Sequence, residues 1–322
     1  AAGAHLGGAL VLRGAATRTG APELAVAAVQ PNVPQDRKWE EGSAARILDD
    51  LERLTREAAA GGAVLIAWPE SASPYAVSLP LPDPRDGGRA APHSTYVERL
   101  EKLVDVTGAR LVVGTVDYRM TPRGLRAANS ARIVTPGEGL GPAYDKIHLV
   151  PFGEYVPLAR LLFFVERLAG GAIADFDPGE RLEPLPTPWG AAAVFICYEA
   201  IFPDLVRRLA GSDATLLVNL TNDAWFGRTS APYQHLAMAA VRAAELRRPL
   251  LRAANTGISA LVDPYGRIVA RTRLMETAIL SGRVTPRSGR TPYARAGDAF
   301  AWACAILGAL LALATRARPA RP

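Results

Sequence analysis

Cysteine is scarce in this 322-residue chain: there are two, Cys197 and Cys304, far apart and in unlike surroundings. Two such residues make neither a disulfide framework nor a cysteine-rich zinc site. Histidine is almost as rare, with four copies. No His-Glu-x-x-His motif, no phosphate-binding loop of the Gly-Lys-Ser/Thr type and no Gly-x-Gly-x-x-Gly following a strand occurs, so no metal and no cofactor is expected. A Lys/Arg stripe interleaved with aromatics is also lacking, although the formal net charge is +6; the arginines are scattered, which argues against nucleic acid as a partner. Internal repeats and low-complexity linkers are missing, which favours one large domain over two. The first residue is Ala1 rather than Met, the expectation for a fragment or a processed chain.

Hydrophobic residues make up 49% of the chain and charged ones 21%, a globular balance. Near the start, Leu6–Leu12 is apolar but too short to span a bilayer before Arg13. Residues 1–22 are therefore read as a leader, or as the end of a truncated membrane region. At the other end no residue from Ala299 to Thr315 is charged. A run of about 17 residues is at the lower limit for crossing a bilayer. With Trp302 as an interface anchor, 296–316 is expected to be a C-terminal transmembrane helix followed by a basic tail, 317–322. The alternative is a buried terminal helix. Arginines flank this run on both sides, so charge does not orient it.

Between these ends, buried-strand and helix patterns alternate. Strands are expected at 23–30, 63–67, 110–116, 131–135, 191–196 and 215–219. Helices are expected at 42–60, from a capping box at Thr95 and Glu98 onward, at 201–210 and at 233–248. Asp263-Pro-Tyr-Gly266 between two short apolar runs reads as a hairpin turn. The order suggests a layered α/β sandwich over about 23–290.

The apolar run Ala191–Ile196 ends on Cys197, just before a helical pattern. Open α/β sheets place their chemistry at such strand ends, and helix N-termini favour the reactive thiolate. A lone cysteine in an apolar run can equally be a small core residue. A nucleophilic thiol needs a base and oxyanion donors. Glu70 follows a buried strand and Lys146 sits in a polar turn after strand-like sequence. A turn carboxylate and a solvated ammonium are the plain alternatives for these two. His148 is a second candidate base, in a Cys–His pair; His5, His93 and His235 are poorer ones, in loops or on a polar helix end.

The ordered trio Trp68-Pro-Glu70, Tyr144-Asp-Lys146 and Ile196-Cys-Tyr-Glu199 resembles the nitrilase superfamily, whose signature is a Glu–Lys–Cys triad in that order. Within it, His148–Pro157, Asn222–Gly227, Arg248–Arg252 and Thr291–Arg295 look like the apolipoprotein N-acyltransferase branch. The resemblance implies an α-β-β-α sandwich and a two-step acyl transfer. Glu70 would be the general base, Lys146 the oxyanion and thiolate stabiliser, and Cys197 the nucleophile that forms a thioester with a fatty acyl chain. The Tyr198 N–H would be a second oxyanion donor, Glu154 a further glutamate near the site, and Tyr198 and Glu199 the residues flanking the nucleophile. The donor would be a phospholipid and the acceptor a diacylglyceryl lipoprotein. The setting would be the cytoplasmic (inner) membrane, with the catalytic domain on its periplasmic face.

Tyr75, Phe152, Tyr155, Phe163, Phe164 and Trp225 are candidate walls of an acyl channel, with ordinary core packing as the alternative. Leu161–Val165 reads as a membrane-dipping lid or as a buried turn. That branch carries a bundle of membrane helices ahead of this domain that the sequence does not contain, which puts lipid access or substrate choice in doubt. Two other readings stay open: an amidase of the same superfamily acting on a small C–N substrate, and a non-catalytic membrane-tethered module.

Overall fold

Alternation along β1 (Leu24–Gln30) sets out the layers of the molecule: Leu24, Val26 and Ala28 join one apolar cluster, while Ala27 and Val29 join another. Successive side chains of a strand point to opposite faces, so β1 is covered on both. The same split recurs in β2 (Leu65–Ala67) and in β3 (Arg110–Thr121), where Val112 faces inward and Leu111 and Val113 outward. The computed structural model describes residues 22–34, 43–72, 75–77, 93–121, 124–157 and 176–316. The leader over 1–21, the apolar run 161–165 with Phe163 and Phe164, and the tail 317–322 lie outside the described residues.

Two sheets stack face to face. The first adds β4 (Gly124–Thr135), β5 (Gly139–Asp145) and β11 (Ala278–Val284) in the order β11-β1-β2-β3-β4-β5. The second contains β6 (Ala191–Ile196), β7 (Ala214–Thr221), β8 (Leu250–Ala254), β9 (Ala260–Val262) and β10 (Ile268–Arg271) in the order β10-β9-β8-β7-β6. Neighbours β1-β2-β3 and β6-β7-β8 run parallel, and the flanking strands pair antiparallel. Helices α1 (Ser43–Ala60) and α2 (His93–Thr107) cover the first sheet through Leu48, Leu51, Leu100 and Leu103. Helices α3 (Pro203–Ala210) and α4 (Ala231–Leu246) belong with the second, through Val206, Leu209, Leu236 and Ala243. Each such side chain fully buried contributes roughly 1.5–3 kcal/mol. The result is the expected α/β fold with two sheets.

Several expectations need correction. The strands expected at 110–116 and 131–135 are each longer: β3 runs on to Thr121 and β4 starts at Gly124, as a long hairpin pairing Val116 with Asn129 and Thr121 with Gly124. Strand β5 was not among the expected strands. Strands β8 and β11 were not anticipated, because a five-residue strand after a helix and a half-exposed edge strand carry little periodic signal. Helix α2 starts at His93, ahead of the expected cap at Thr95.

The C-terminal run does form a helix, α6 (Ala299–Arg316), after a short α5 (Pro292–Ala296). Its residues 299–313 are exposed, with Phe300 82% and Trp302 69% accessible, so it is not a buried terminal helix. The transmembrane expectation for 296–316 is not met either. Among the described residues no helix is long and apolar enough to cross a membrane.

Candidate active site

Three buried segments meet where the two sheets open. Strand β2 runs into Trp68-Pro69-Glu70, anchored by the Trp68 indole donating to Thr55 Oγ1 at 2.8 Å. Strand β5 runs into Lys146, whose backbone N–H donates to the Asn129 carbonyl on β4 at 2.8 Å. Strand β6 ends at Cys197, which opens a 3₁₀ turn, Cys197–Ile201, with a left-handed φ of 49°. That conformation costs a non-glycine residue roughly 1–2 kcal/mol and is common where a side chain must be held at a functional position.

Lys146 is fully buried and its Nζ donates to Glu70 Oε1 at 3.0 Å and to Glu154 Oε1 at 2.9 Å. Asn129 Nδ2 donates to the same two oxygens, at 2.7 and 2.8 Å. The outer oxygen of each carboxylate takes a backbone N–H: Asn222 to Glu70 Oε2 at 2.8 Å, and Val150 to Glu154 Oε2 at 2.7 Å. An ammonium has three N–H donors. Two are used here, which leaves one for an oxyanion.

Burial works against every charge in this cluster, and the partners decide the outcome. For Lys146, desolvation is the largest influence, but Glu70, the Cys197 sulfur and Glu154 outweigh it and hold the ammonium above the ordinary lysine range. For Glu70, burial is again largest, yet the Lys146 charge, the Asn129 and Lys146 hydrogen bonds and the Asn222 N–H leave its pKa below the usual value. Cys197 is only partly buried as a residue, but desolvation followed by repulsion from Glu70 pushes its thiol up, and Lys146 offsets this in part. The resting combination is a protonated sulfur beside an ionised carboxylate and a charged ammonium. A base ready to receive the thiol proton needs that combination.

Glu199, buried, ties the Lys146 and Cys197 segments together. Its Oε1 accepts from the Tyr144 hydroxyl at 2.8 Å, the Ile147 N–H at 2.7 Å and the His148 N–H at 3.2 Å; its Oε2 accepts from the Ile196 N–H at 2.7 Å. Tyr198 packs edge-on against Phe202 at 5.1 Å. The His148 ring packs on the same phenylalanine at 4.2 Å.

His235, set aside in the sequence as a polar helix-end residue, is buried on α4. Its Nε2 donates to the Cys197 carbonyl at 2.9 Å and its Nδ1 lies 2.9 Å from Asp223 Oδ1. Asp223 also receives Thr221 Oγ1 at 3.0 Å and Arg252 Nη2 at 2.9 Å, and Arg252 donates to Asn219 as well. The Cys197 sulfur and ligand atoms of Asp223 and His235 lie within 4.8 Å of one another. A cation there would have to displace the hydrogen bonds on Asp223 and His235 and face the Arg252 guanidinium. These residues are built as a support for the nucleophile turn rather than as a metal site. Nothing in the local sequence signalled Asn129 or His235, because each acts through a partner distant along the chain.

Of the six expected wall residues, four lie among the described residues, and none is fully buried. Tyr75 is half-buried against Tyr96, ring centroids 5.5 Å apart; Tyr155 is half-buried; Phe152 and Trp225 are exposed, Trp225 by 71%.

Gly114 on β3 lies under the Glu70 segment. A Cβ there would overlap the Pro69 carbonyl oxygen and come within 2.8 Å of Glu70 Cα. Gly114→Ala is therefore expected to displace Glu70 and cut acylation of Cys197 at least tenfold, with a Tm loss of several degrees. Wild-type rates in the variant would show that the segment yields.

The carbon-nitrogen hydrolase family model matches residues 25–293. Apolipoprotein N-acyltransferase of Geobacter metallireducens is 43% identical over 295 residues, covering 91% of this chain and 54% of that protein. The enzyme of the same name from Photobacterium profundum is 35% identical over 284 residues, 85% of this chain and 51% of that protein. This chain thus spans about half the length of these curated relatives. Among solved structures, a carbon-nitrogen hydrolase from Helicobacter pylori superposes with a TM-score of 0.61 at 15% identity, over 82% of this chain and 89% of that one. An amidase from Nesterenkonia gives 0.57 at 22%, over 81% and 90%. At these identities the structures speak to the fold alone. Taken with the matched family model, the two-sheet architecture and the buried Glu70–Lys146 pair identify the chain as a member of the carbon-nitrogen hydrolase family.

Proposed function

We propose that this chain moves a fatty acyl group from a phospholipid, through a thioester on Cys197, to the N-terminal amine of a diacylglyceryl-cysteine lipoprotein. The observation that carries this reading is the buried Lys146 ammonium, gripped by Glu70 and Glu154 and electrostatically coupled to the Cys197 sulfur. The name shared by these relatives supplies the substrate class.

In the first half-reaction the sulfur attacks the ester carbonyl while Glu70 takes the thiol proton. Lys146, through its third N–H, and the Tyr198 N–H steady the oxyanion. The intermediate collapses to the thioester, and the lysophospholipid alkoxide leaves with the proton from Glu70. In the second half-reaction the amine attacks the thioester, Glu70 accepts the amine proton, and the sulfur leaves and is reprotonated. A thioester lies above an amide in free energy, so transfer needs no ATP, but water must be kept out. Glu154 keeps Lys146 charged and in place. Glu199 is a positioning residue that sets the Lys146 segment against the nucleophile turn.

We assign the reaction to residues 23–290 and to the periplasmic face of the inner membrane. The exposed apolar side chains of α6, among them Phe300, Ile306 and Leu310, support contact with lipid at that surface. Phe152, Tyr155, Trp225 and Tyr75 are assigned to acyl or acceptor contacts.

The test is a competition between acceptors. With phosphatidylethanolamine and a peptide bearing an N-terminal diacylglyceryl-cysteine, the expected product is the N-acyl peptide, in excess of free fatty acid. Free fatty acid or ammonia release from small amides, with no acylated peptide, would instead establish the amidase reading.

A further inference from the structure

Outside the catalytic cluster, a cleft of about 330 Å³ is lined by Arg228, Thr229, Tyr233, Arg273 and Leu274. That is within the size range of small-ligand sites. The two guanidiniums come from different parts of the chain, the turn ahead of α4 and the turn after β10, and both residues are exposed. Among the described residues neither guanidinium has a hydrogen bond or an ion pair, although most other arginines with half-buried or exposed side chains near acids are paired.

Both rims are held rigidly. Gln30, fully buried, donates through Nε2 to the Arg273 carbonyl at 2.8 Å and the Glu276 carbonyl at 3.0 Å, which fixes the second turn from beneath. Thr229 Oγ1 donates to the Phe226 carbonyl at 2.9 Å and accepts the Ala231 N–H at 3.3 Å, which fixes the first. The Ser230 side chain makes no capping bond; Thr229 takes the Ala231 N–H and Pro232 has none, which among the described residues leaves the Tyr233 N–H as the orphan donor of the first turn of α4 at this rim. The turn that leads into Arg228 carries two exposed apolar rings, Trp225 and Phe226. The loop carrying them begins at Asn222, whose N–H holds Glu70.

A preorganised cleft with two unmatched guanidiniums and the Tyr233 side chain, preceded in the chain by two exposed apolar rings, suits an anion of tetrahedral oxygens attached to an apolar tail. We propose that this cleft is a phosphate-binding subsite that seats the phosphodiester of the acyl donor, Arg228 and Arg273 gripping its oxygens while the ester reaches Cys197. The identity of the donor rests on the function proposed above; the phosphate chemistry does not.

The test separates the two. Glycerophosphoethanolamine, inorganic phosphate and, as a phosphate-free control, glycerol are titrated into the wild type and the Arg228→Gln/Arg273→Gln double variant by calorimetry. In parallel, Cys197 acylation is followed with phosphatidylethanolamine and with a short-chain nitrophenyl ester that carries no phosphate. The subsite predicts saturable binding of glycerophosphoethanolamine that weakens at least tenfold in the double variant. It also predicts that the ratio of kcat/KM for phospholipid over nitrophenyl ester falls about tenfold, through KM. Tighter binding of inorganic phosphate than of the diester would assign the cleft to a free phosphate ion and overturn the donor role. Equal titrations in both proteins, with an unchanged ratio, would overturn the subsite while leaving the thioester chemistry standing. Absence of acylation from either ester would count against the proposed reaction, and calorimetry alone would then decide the subsite.

Discussion

Glu70→Gln is expected to lower the rate of Cys197 acylation by about a thousandfold, within the range for loss of a positioned base, while the fold survives. Glutamine has the same shape and keeps one oxygen, which can still accept from Lys146 and Asn129 at the Oε1 position, while its NH2 replaces the acceptor that the Asn222 N–H uses at Oε2. The capacity to take the thiol proton is lost, together with the charge that pairs with Lys146 and the acceptor for the Asn222 N–H. Burial and neighbouring Glu70 hold that thiol above its ordinary pKa, so the sulfur does not ionise unaided at neutral pH. Lys146→Met should be at least as damaging and should also destabilise, because Glu70 and Glu154 would face each other without their shared cation. His148→Ala serves as the contrast. Its ring packs on Phe202, and a rate loss below tenfold is expected. Stopped-flow acylation with a nitrophenyl ester ranks the three variants; His148→Ala as the slowest would favour a Cys–His pair.

Arg252→Met is expected to destabilise the protein by about 3–5 kcal/mol, since it strands a buried carboxylate. Arg252 and Asp223 have fully buried side chains 2.9 Å apart, and the same guanidinium reaches Asn219 and the Ile258 carbonyl. Burial alone would raise the Asp223 pKa. Arg252 and His235 overcome that and hold it at about 2, against an ordinary 3.8. A depressed carboxylate pKa adds stability above the unfolded-state value and loses it as pH falls toward the folded-state one. Asp223 should thus contribute about 2 kcal/mol above pH 4, lost progressively toward pH 2. Urea midpoints at pH 7 and pH 3 check both statements. In the variant the loss at pH 7 should be large and the Asp223 share of the acid sensitivity should vanish. A loss below 1 kcal/mol at pH 7 would show that Asp223 finds another partner.

The parts legible in the sequence were those whose signal is local. The run Ala191–Ile196, the amphipathic spacing of α1 and the Asp263–Gly266 turn each declare themselves within about 18 residues, and all three form. Glu70, Lys146 and Glu154 stood out as strand-end residues or by resemblance, and the structure brings their side chains together. What the sequence hid depends on distance along the chain. Asn129 bridges residues 59 and 25 positions away, and His235 supports a carbonyl 38 positions back. The polar part of the β3–β4 hairpin was missed because its stability comes from cross-strand hydrogen bonds, not from an apolar face. The terminal run misled in the other sense. Its lack of charge suggested a membrane span, but among the described residues no helix is long and apolar enough to cross a membrane.

Intact-mass spectrometry after incubation with phosphatidylethanolamine tests the central claim most directly. The wild type should gain the mass of one fatty acyl group, released by neutral hydroxylamine as a thioester should be, and Cys197→Ala should gain none. A protein without an adduct, or an equal adduct on Cys197→Ala, would contradict the assignment of Cys197 as the acyl carrier.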